Sequence, residues 1–315
     1  MKRRALGNTG IDISPLVLGG NVFGWTVDES HSFELLDRAA AAGINTIDTA
    51  DSYSCWVPGN VGGESESVLG KWLRRSGRRG TTVVITKVGS AVGRYKKDLS
   101  AAHVLAGAED SLRRLQTDHI DVYLSHWPDD STRHEETLGA YQKLIQQGKV
   151  RVIGASNYSV QQMSDALAVA ASKALPRYQV LQPEYNLYSR SGFEGALREL
   201  CVREHIGVIP YFGLASGFLT GKYRSPADFS KSPRGQSVAK YLDGRGRSIL
   251  KALDAVSALH SAQPAEIALA WLMRQEGVTA PIASATSPAQ LDSLVRATQL
   301  TLSEADLQNL RGASS

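Results

Sequence analysis

The sequence predicts a single (β/α)8 TIM barrel over residues 1–315, with an N-terminal β-hairpin closing the barrel bottom and a long loop after the seventh strand. Three observations predict it. Eight short segments rich in β-branched residues recur along the chain, each is nearly continuously apolar, as strands buried on both faces must be, and each precedes a stretch with helical periodicity. Eight such units close naturally into a cylinder. A doubly wound open sheet usually has fewer strands and would want a Gly-rich phosphate turn after the first one, and Gly19-Gly20-Asn21 is not that turn.

Residues 2–14 read as strand, turn, strand, because Asn8-Thr9-Gly10 supplies the positive-φ chemistry of a hairpin. The first barrel strand is PLVLGG (15–20), followed by a helix from Asp28. INTID (44–48) leads to a helix from Glu64, and TVVITK (82–87) to one from Ser100. HIDVYLSHW (119–127), VRVIGASN (150–157), YQVLQPEYN (178–186), GVIPYFG (207–213) and APIASAT (280–286) continue the rhythm. Asp28 and Ser100 are suited to cap helix starts, Gly43 and Gly148 stand where helices stop, and Pro264 and Pro288 suit first helical turns. One long irregular stretch, Lys222 to about Gly246, holds three glycines and two prolines among charged residues. Loops of that length in compact domains usually serve as lids or binding loops.

Composition narrows the function classes. An apolar fraction of 42% and a charged fraction of 21% are ordinary for a folded globular chain. The net charge of +4 comes from basic residues interleaved with acidic ones, which argues against a nucleic-acid footprint. No apolar run approaches membrane-spanning length, and Gly7, Asn8, Gly10 and Asp12 interrupt the segment after the basic start, so no signal-peptide apolar region is read there. Cys55 and Cys201 stand far apart, against a disulfide framework. The expected location is the cytoplasm. The seven histidines are scattered, without HExxH, so no metal is expected.

In this fold reactive groups gather where strands end at the C-terminal face. Asp48 closes INTID, Tyr53 follows in the next loop, Lys87 closes VVIT and His126 closes VYLS. Singly, each suits an ion pair or a satisfied hydrogen bond. Together they suit proton transfer: a phenol donates to a developing alkoxide, a lysine lowers the phenol's pKa, and an aspartate holds the lysine charged. Desolvation of the phenolate opposes the lysine, and the net expectation is a modest downward shift of the Tyr53 pKa.

The chain resembles the aldo-keto reductase family from the hairpin to residue 300. GINTIDTADSY (43–53), GGESESVLG (62–70), Thr86-Lys87 and SHWPD (125–129) are similar to its signatures. The resemblance implies Asp48 as charge partner, Tyr53 as general acid, Lys87 as pKa-lowering cation and His126 as carbonyl-orienting donor. GASN (154–157) and QPEYN (182–186) resemble strand ends that hold the nicotinamide carboxamide through Ser156, Asn157 and Gln182, and Tyr211 resembles the aromatic under the ring. LASGFLTGKY (214–223) resembles the pyrophosphate loop, and SATSPAQLDSL (284–294) the adenosine-phosphate segment, with Ser284, Thr286 and Gln290 in contact positions. The implied cofactor contacts also include Trp25, Asp48, Phe212, Leu214, Ser216 and Leu219, with Lys222 and Arg234 as sources of positive charge.

Two departures stand out. Phe212-Gly213 replaces a frequent Ser-Pro, and Thr286 and Leu294 stand where many relatives carry a basic residue and Asn. The implied cofactor is NADPH, with NADH admissible. The implied substrate is a small aldehyde or ketone in a pocket framed by Phe23, Trp25, Tyr53, Trp56, His126 and Trp127. Aromatic walls of that kind suit apolar or ring-shaped carbonyl compounds. Two rival readings stay open: a barrel aldolase using Lys87 as a Schiff-base nucleophile, and a cofactor-sensing auxiliary subunit, since some barrels resembling this family serve potassium channels in that way.

Overall fold

In the computed structural model, which describes residues 1–93 and 95–315, β1 (Arg4–Ala5) and β2 (Asp12–Ile13) form an antiparallel hairpin. The eight-stranded parallel sheet consists of β3 (Val17–Gly19), β4 (Thr46–Asp48), β5 (Val83–Val88), β6 (Ile120–Ser125), β7 (Val150–Ser156), β8 (Val180–Gln182), β9 (Gly207–Val208) and β10 (Ile282–Ala283). Its order is β10-β3-β4-β5-β6-β7-β8-β9. The Ile282 N–H donates to the Pro210 carbonyl at 2.9 Å and the Thr279 N–H to Val208 at 2.8 Å, which joins β9 to β10 and closes the cylinder.

Helices α1 (Glu29–Ala41), α2 (Glu64–Ser76), α3 (Ala101–Leu115), α4 (His134–Gln146), α5 (Val160–Lys173) and α6 (Ala196–Arg203) follow β3 to β8 in turn. α7 (Gly244–His260) and α8 (Pro264–Met273) separate β9 from β10, and α9 (Pro288–Ala297) and α10 (Glu304–Ala313) complete the chain. The capping residues behave as their chemistry dictates: Asp28 and Ser100 accept backbone N–H bonds from His31 and His103, and Pro264 and Pro288 occupy first turns. The stretch expected to be irregular from Lys222 to about Gly246 is more ordered than its composition indicates. It carries 3-10 turns at Pro226–Lys231 and Gly235–Tyr241, and α7 begins inside it.

Strand alternation sorts the core into two layers. Leu18, Ile47, Val84, Tyr123, Ile153, Leu181 and Val208 face outward and pack with the helices. Val17, Val83, Ile85, Val122, Leu124, Val152, Val180, Ile209 and Ile282 fill the interior, where Leu6, Ile11 and Ile13 of the hairpin segment join them. The hairpin is therefore the plug of one barrel end. Gly154 lies on the inward parity of β7, where a Cβ would stand 2.4 Å from the Val180 carbonyl and 2.6 Å from Leu124 Cδ2, so only glycine lets these strands approach.

Leu6 is fully buried in that plug. Leu6→Ala should cost about 2–4 kcal/mol through lost burial and the cavity left behind, read as a lowered denaturant midpoint. An unchanged midpoint would show that the plug contributes nothing to barrel stability.

Candidate active site

Following the inward parity upward leads from the aliphatic interior directly to the polar rim. β5 presents Val83, Ile85 and then Lys87; β6 presents Val122, Leu124 and then His126; β8 presents Val180 and then Gln182. The same two-residue repeat that packs the barrel thus delivers the reactive groups to its C-terminal end. All four residues expected to act together converge. Lys87 Nζ donates to Asp48 Oδ2 at 2.8 Å, to the Thr49 carbonyl at 2.7 Å and to the Tyr53 hydroxyl oxygen at 2.9 Å. These three bonds use every ammonium hydrogen. The Tyr53 hydroxyl lies 3.2 Å from Asp48 Oδ2, to which it donates, and the Gln182 amide donates to Asp48 Oδ1 at 2.8 Å. The rings of Tyr53 and His126 are 6.1 Å apart.

The electrostatics differ from the sequence-based expectation for Tyr53. Burial foremost, and then the charge and hydrogen bond of Asp48, hold its phenol well above the usual range. Magnitudes explain the sign. At an effective dielectric of about 20, the ammonium at 2.9 Å favours a phenolate by about 6 kcal/mol, while the carboxylate at 3.2 Å disfavours it by about 5 kcal/mol. Lys87 and Asp48 nearly cancel at the phenol oxygen, and desolvation decides. Tyr53 therefore keeps its proton at neutral pH. Burial lowers the Lys87 pKa against the opposing pull of Asp48, and burial followed by the charge of Lys87 holds His126 well below the usual imidazole range, so His126 is neutral. Its Nδ1 and the Trp127 Nε1 are enclosed without a hydrogen-bond partner among the described residues.

The residues expected around a carboxamide also meet. Ser156 Oγ donates to the Gln182 carbonyl at 2.8 Å, Asn157 Nδ2 to the His126 carbonyl at 2.9 Å, and the Tyr211 hydroxyl to Asn157 Oδ1 at 2.7 Å. Beyond β9, the non-glycine residues Phe212, Ala215 and Ser216 adopt positive φ, beside Gly217. Three left-handed non-glycine residues within one short segment store backbone strain in this loop. Ser284 pairs with Asn21 at 2.8 Å, a partner the sequence reading did not single out, and Gln290 Oε1 accepts from both the N–H and the hydroxyl of Thr286. The Lys222 ammonium lies 5.1 Å over the Tyr223 ring.

The aromatic wall is partly as expected. Trp25 and Trp56 meet edge to face at 5.6 Å, Trp56 lies 6.1 Å from Tyr53, and Lys97 stands 5.7 Å over Trp127. Phe23 departs from expectation: at 1% exposure it packs in the outer apolar layer rather than lining the mouth. Leu219 is likewise fully buried, its side chain part of the core, so it offers the site backbone alone. The guanidinium of Arg234 sits 5.0 Å over the Trp25 ring, at the aromatic wall.

One cluster beneath the rim was missed. Glu66 on α2 accepts from Thr86 at 2.5 Å and from Arg114 on α3 at 2.6 Å, and it is fully buried. Asp51 lies buried within electrostatic reach, its Oδ1 without a partner among the described residues. Burial first, then the charge of Glu66, raises the Asp51 carboxyl to about 7 against the pull of Arg114. Asp51 lies in GINTIDTADSY and Glu66 in GGESESVLG, yet nothing in a linear pattern tells a capping or exposed carboxylate from one folded under a lysine.

Among the described residues, no three His, Cys, Asp or Glu side chains are grouped to hold a metal ion. No helix among them is long and apolar enough to cross a membrane.

Compared with known proteins, residues 15–315 match the aldo/keto reductase family. The chain is 30% identical to aldo-keto reductase YhdN of Bacillus subtilis, over 98% of this chain and 92% of that protein. It is 30% identical to protein tas of Escherichia coli, over 96% and 95% of the two chains. A probable voltage-gated potassium channel subunit beta of Arabidopsis thaliana is 32% identical, over 94% and 91%.

The Asp51 carboxyl generates a prediction with a definite sign. Its folded pKa lies above the unfolded value, so the folded protein holds an extra proton from about pH 4 to 7, and stability falls as the pH rises through that window. Asp51→Asn lacks this loss and should gain on the order of 2 kcal/mol relative to the native chain between pH 5 and pH 8. Parallel stability profiles for the two proteins would remove the buried-acid assignment.

Proposed function

Because the chain belongs to the aldo/keto reductase family, we propose that it reduces an aldehyde or ketone to an alcohol, or runs the reverse reaction, with NADPH as cofactor and Tyr53 as general acid. Membership makes it an oxidoreductase of carbonyl compounds. The observation that carries the finer reading is the hydrogen-bonded set of Tyr53, Lys87 and Asp48 with neutral His126 beside it.

The residues present suit a nicotinamide dinucleotide. Ser156, Asn157 and Gln182 group amide and hydroxyl side chains within reach of the tetrad, Tyr211 provides a ring beside them, and the left-handed backbone at Ala215–Gly217 suits a diphosphate. When bound, the cofactor supplies the hydride. The protein's own part is to hold the carbonyl oxygen between two donors, the Tyr53 hydroxyl and the neutral His126 imidazole, and to move one proton. Tyr53 arrives protonated because burial first, and then the charge and hydrogen bond of Asp48, raise its pKa. As the substrate oxygen gains charge it takes the proton from the Tyr53 oxygen, and the hydrogen bond from Lys87 then falls on a phenolate, where it is strongest. Asp48, fixed by Gln182, keeps that ammonium in place. A neutral imidazole suits the second position because it orients the oxygen without competing as an acid.

Within the same proposal, Schiff-base chemistry at Lys87 is disfavoured, because the ammonium is fully buried and all of its hydrogens are engaged. A second reading has one observation in its favour: several relatives are named as potassium channel beta subunits. An auxiliary role of that kind would leave cofactor binding in place with negligible turnover.

Purified protein with NADPH and 4-nitrobenzaldehyde should consume the reduced nicotinamide absorbance, and fluorescence titration should give tighter binding of NADPH than of NADH. Tyr53→Phe should lower kcat by about 100-fold or more while the cofactor affinity survives. A kcat for that variant close to the native value would remove Tyr53 from the acid role, and negligible native turnover with tight cofactor binding would favour the auxiliary reading.

A further inference from the structure

Two buried carboxylates flank the strand position of Lys87 and take no hydrogen bond from it, since its three hydrogens are used by Asp48, Thr49 and Tyr53. Thr86 has the outward parity of β5, and its hydroxyl donates to Glu66 Oε1 at 2.5 Å. The other oxygen of Glu66 accepts from Arg114 Nε at 2.6 Å. On the other side, the Asp51 N–H donates to the Lys87 carbonyl at 3.3 Å. Both acids are thus tied to the short length of backbone that presents the lysine. Glu66 is fully buried and Asp51 is 7% exposed. Gly70 on α2 lets α3 come this close, because a Cβ there would stand 2.2 Å from the Arg114 carbonyl oxygen.

Formal charges separate the two acids. Lys87 and Asp48 cancel as an ion pair, and so do Arg114 and Glu66. Asp51 is the fifth charge: protonated, it leaves the group neutral, and ionised, it leaves one net negative charge. Its Oδ1 has no hydrogen-bond partner among the described residues. Burial and then Glu66 oppose its ionisation, and Arg114 favours it. The phenols of Tyr123 on β6 and Tyr141 on α4 also face it, both held protonated by burial, and the Tyr95 hydroxyl reaches its carbonyl at 3.5 Å. An interior acid with one unpaired oxygen lowers stability whenever it ionises, and a position that only packed would be filled at less cost by asparagine. What the charge does reach is Lys87. Burial favours the neutral amine there, while Asp48 and then Asp51 and Glu66 favour the ammonium.

We propose that Asp51 and Glu66 are positioning residues for the chemical step: they hold the Lys87 backbone in register and keep its side chain charged while the proton leaves Tyr53. This rests on the carbonyl-reductase reading above, in which a neutral amine beside Tyr53 would withdraw the charge that the new phenolate needs. Neither acid meets the reacting oxygen, and both act through Lys87 alone.

The test is the pH profile of single-turnover hydride transfer from NADPH to 4-nitrobenzaldehyde. Its alkaline limb reads the loss of the Lys87 proton, because His126 is already neutral and Tyr53 titrates well above the usual phenol range. The midpoint of that limb should fall by about half to one pH unit in D51N and in E66Q, and D51E should bring it back toward the native value. A role in packing alone would lower the height of the profile without moving the midpoint, so an unmoved midpoint in D51N overturns the proposal. A second measurement needs no turnover. In protein whose lysines are isotopically labelled at Nζ, the Lys87 resonance, identified by its loss in Lys87→Met, should titrate at lower pH in D51N than in the native chain. That displacement in a protein that reduces no aldehyde would sink the reductase reading and leave the coupling of Asp51 to Lys87 standing. Turnover of the aldehyde with identical Lys87 titration in the two proteins would do the reverse.

Discussion

An ammonium enclosed in a protein must find its neutralising partners within hydrogen-bond distance, and Lys87 finds all of them at one end of the barrel. It is fully buried, and its three hydrogens go to Asp48, the Thr49 carbonyl and Tyr53. Removing one partner of such a pair leaves a charge that the interior solvates poorly, at a cost of several kcal/mol. The positions of Asp48 and Tyr53 therefore follow from the placement of Lys87, and Gln182 is drawn in because the second oxygen of Asp48 needs a donor. His126 is affected in turn, since the same ammonium helps to keep its imidazole neutral.

The scaffold makes this arrangement cheap. A strand whose alternate residues fill the barrel needs only one further step of the same repeat to project a polar group at the rim, where backbone and loops supply hydrogen bonds that the aliphatic interior lacks. The hairpin fills the opposite end with Leu6, Ile11 and Ile13, so the barrel interior is aliphatic and the polar layer lies at the other end. Beyond that rim the loops adopt conformations that packing alone does not favour. The left-handed Phe212, Ala215 and Ser216 are local costs carried by a stable cylinder.

Much of this was legible in the sequence because it is periodic or local. Short, nearly continuously apolar β-branched runs marked the strands, Asn8-Thr9-Gly10 marked the hairpin, and Asp28, Ser100, Pro264 and Pro288 marked helix starts where α1, α3, α8 and α9 begin. Polar residues closing apolar strands pointed to Asp48, Lys87 and His126 for the same reason. What escaped depends on distances between segments far apart in the chain. Phe23 reads as a pocket aromatic, but the turn that carries it points the ring into the core. Leu219 reads as a contact in a cofactor loop, yet the 3-10 turn around it buries the side chain. Glu66 meets Arg114 across 48 residues, and no motif encodes that encounter. The direction of the Tyr53 shift escaped for a quantitative reason: two opposing charges at 2.9 and 3.2 Å nearly cancel, and a difference of a few tenths of an ångström cannot be read from residue types.

The account stands on Lys87 acting through the oxygen of Tyr53 on the chemical step itself. The most direct measurement is the single-turnover rate of hydride transfer by Lys87→Met with NADPH already bound, compared with the native protein and repeated with deuterated cofactor. Loss of the ammonium should slow that step by about 100-fold or more, with a full primary isotope effect and a cofactor affinity close to native. A rate within about two-fold of native, with the cofactor still bound, would contradict the claim that this buried charge supports the transfer of the proton.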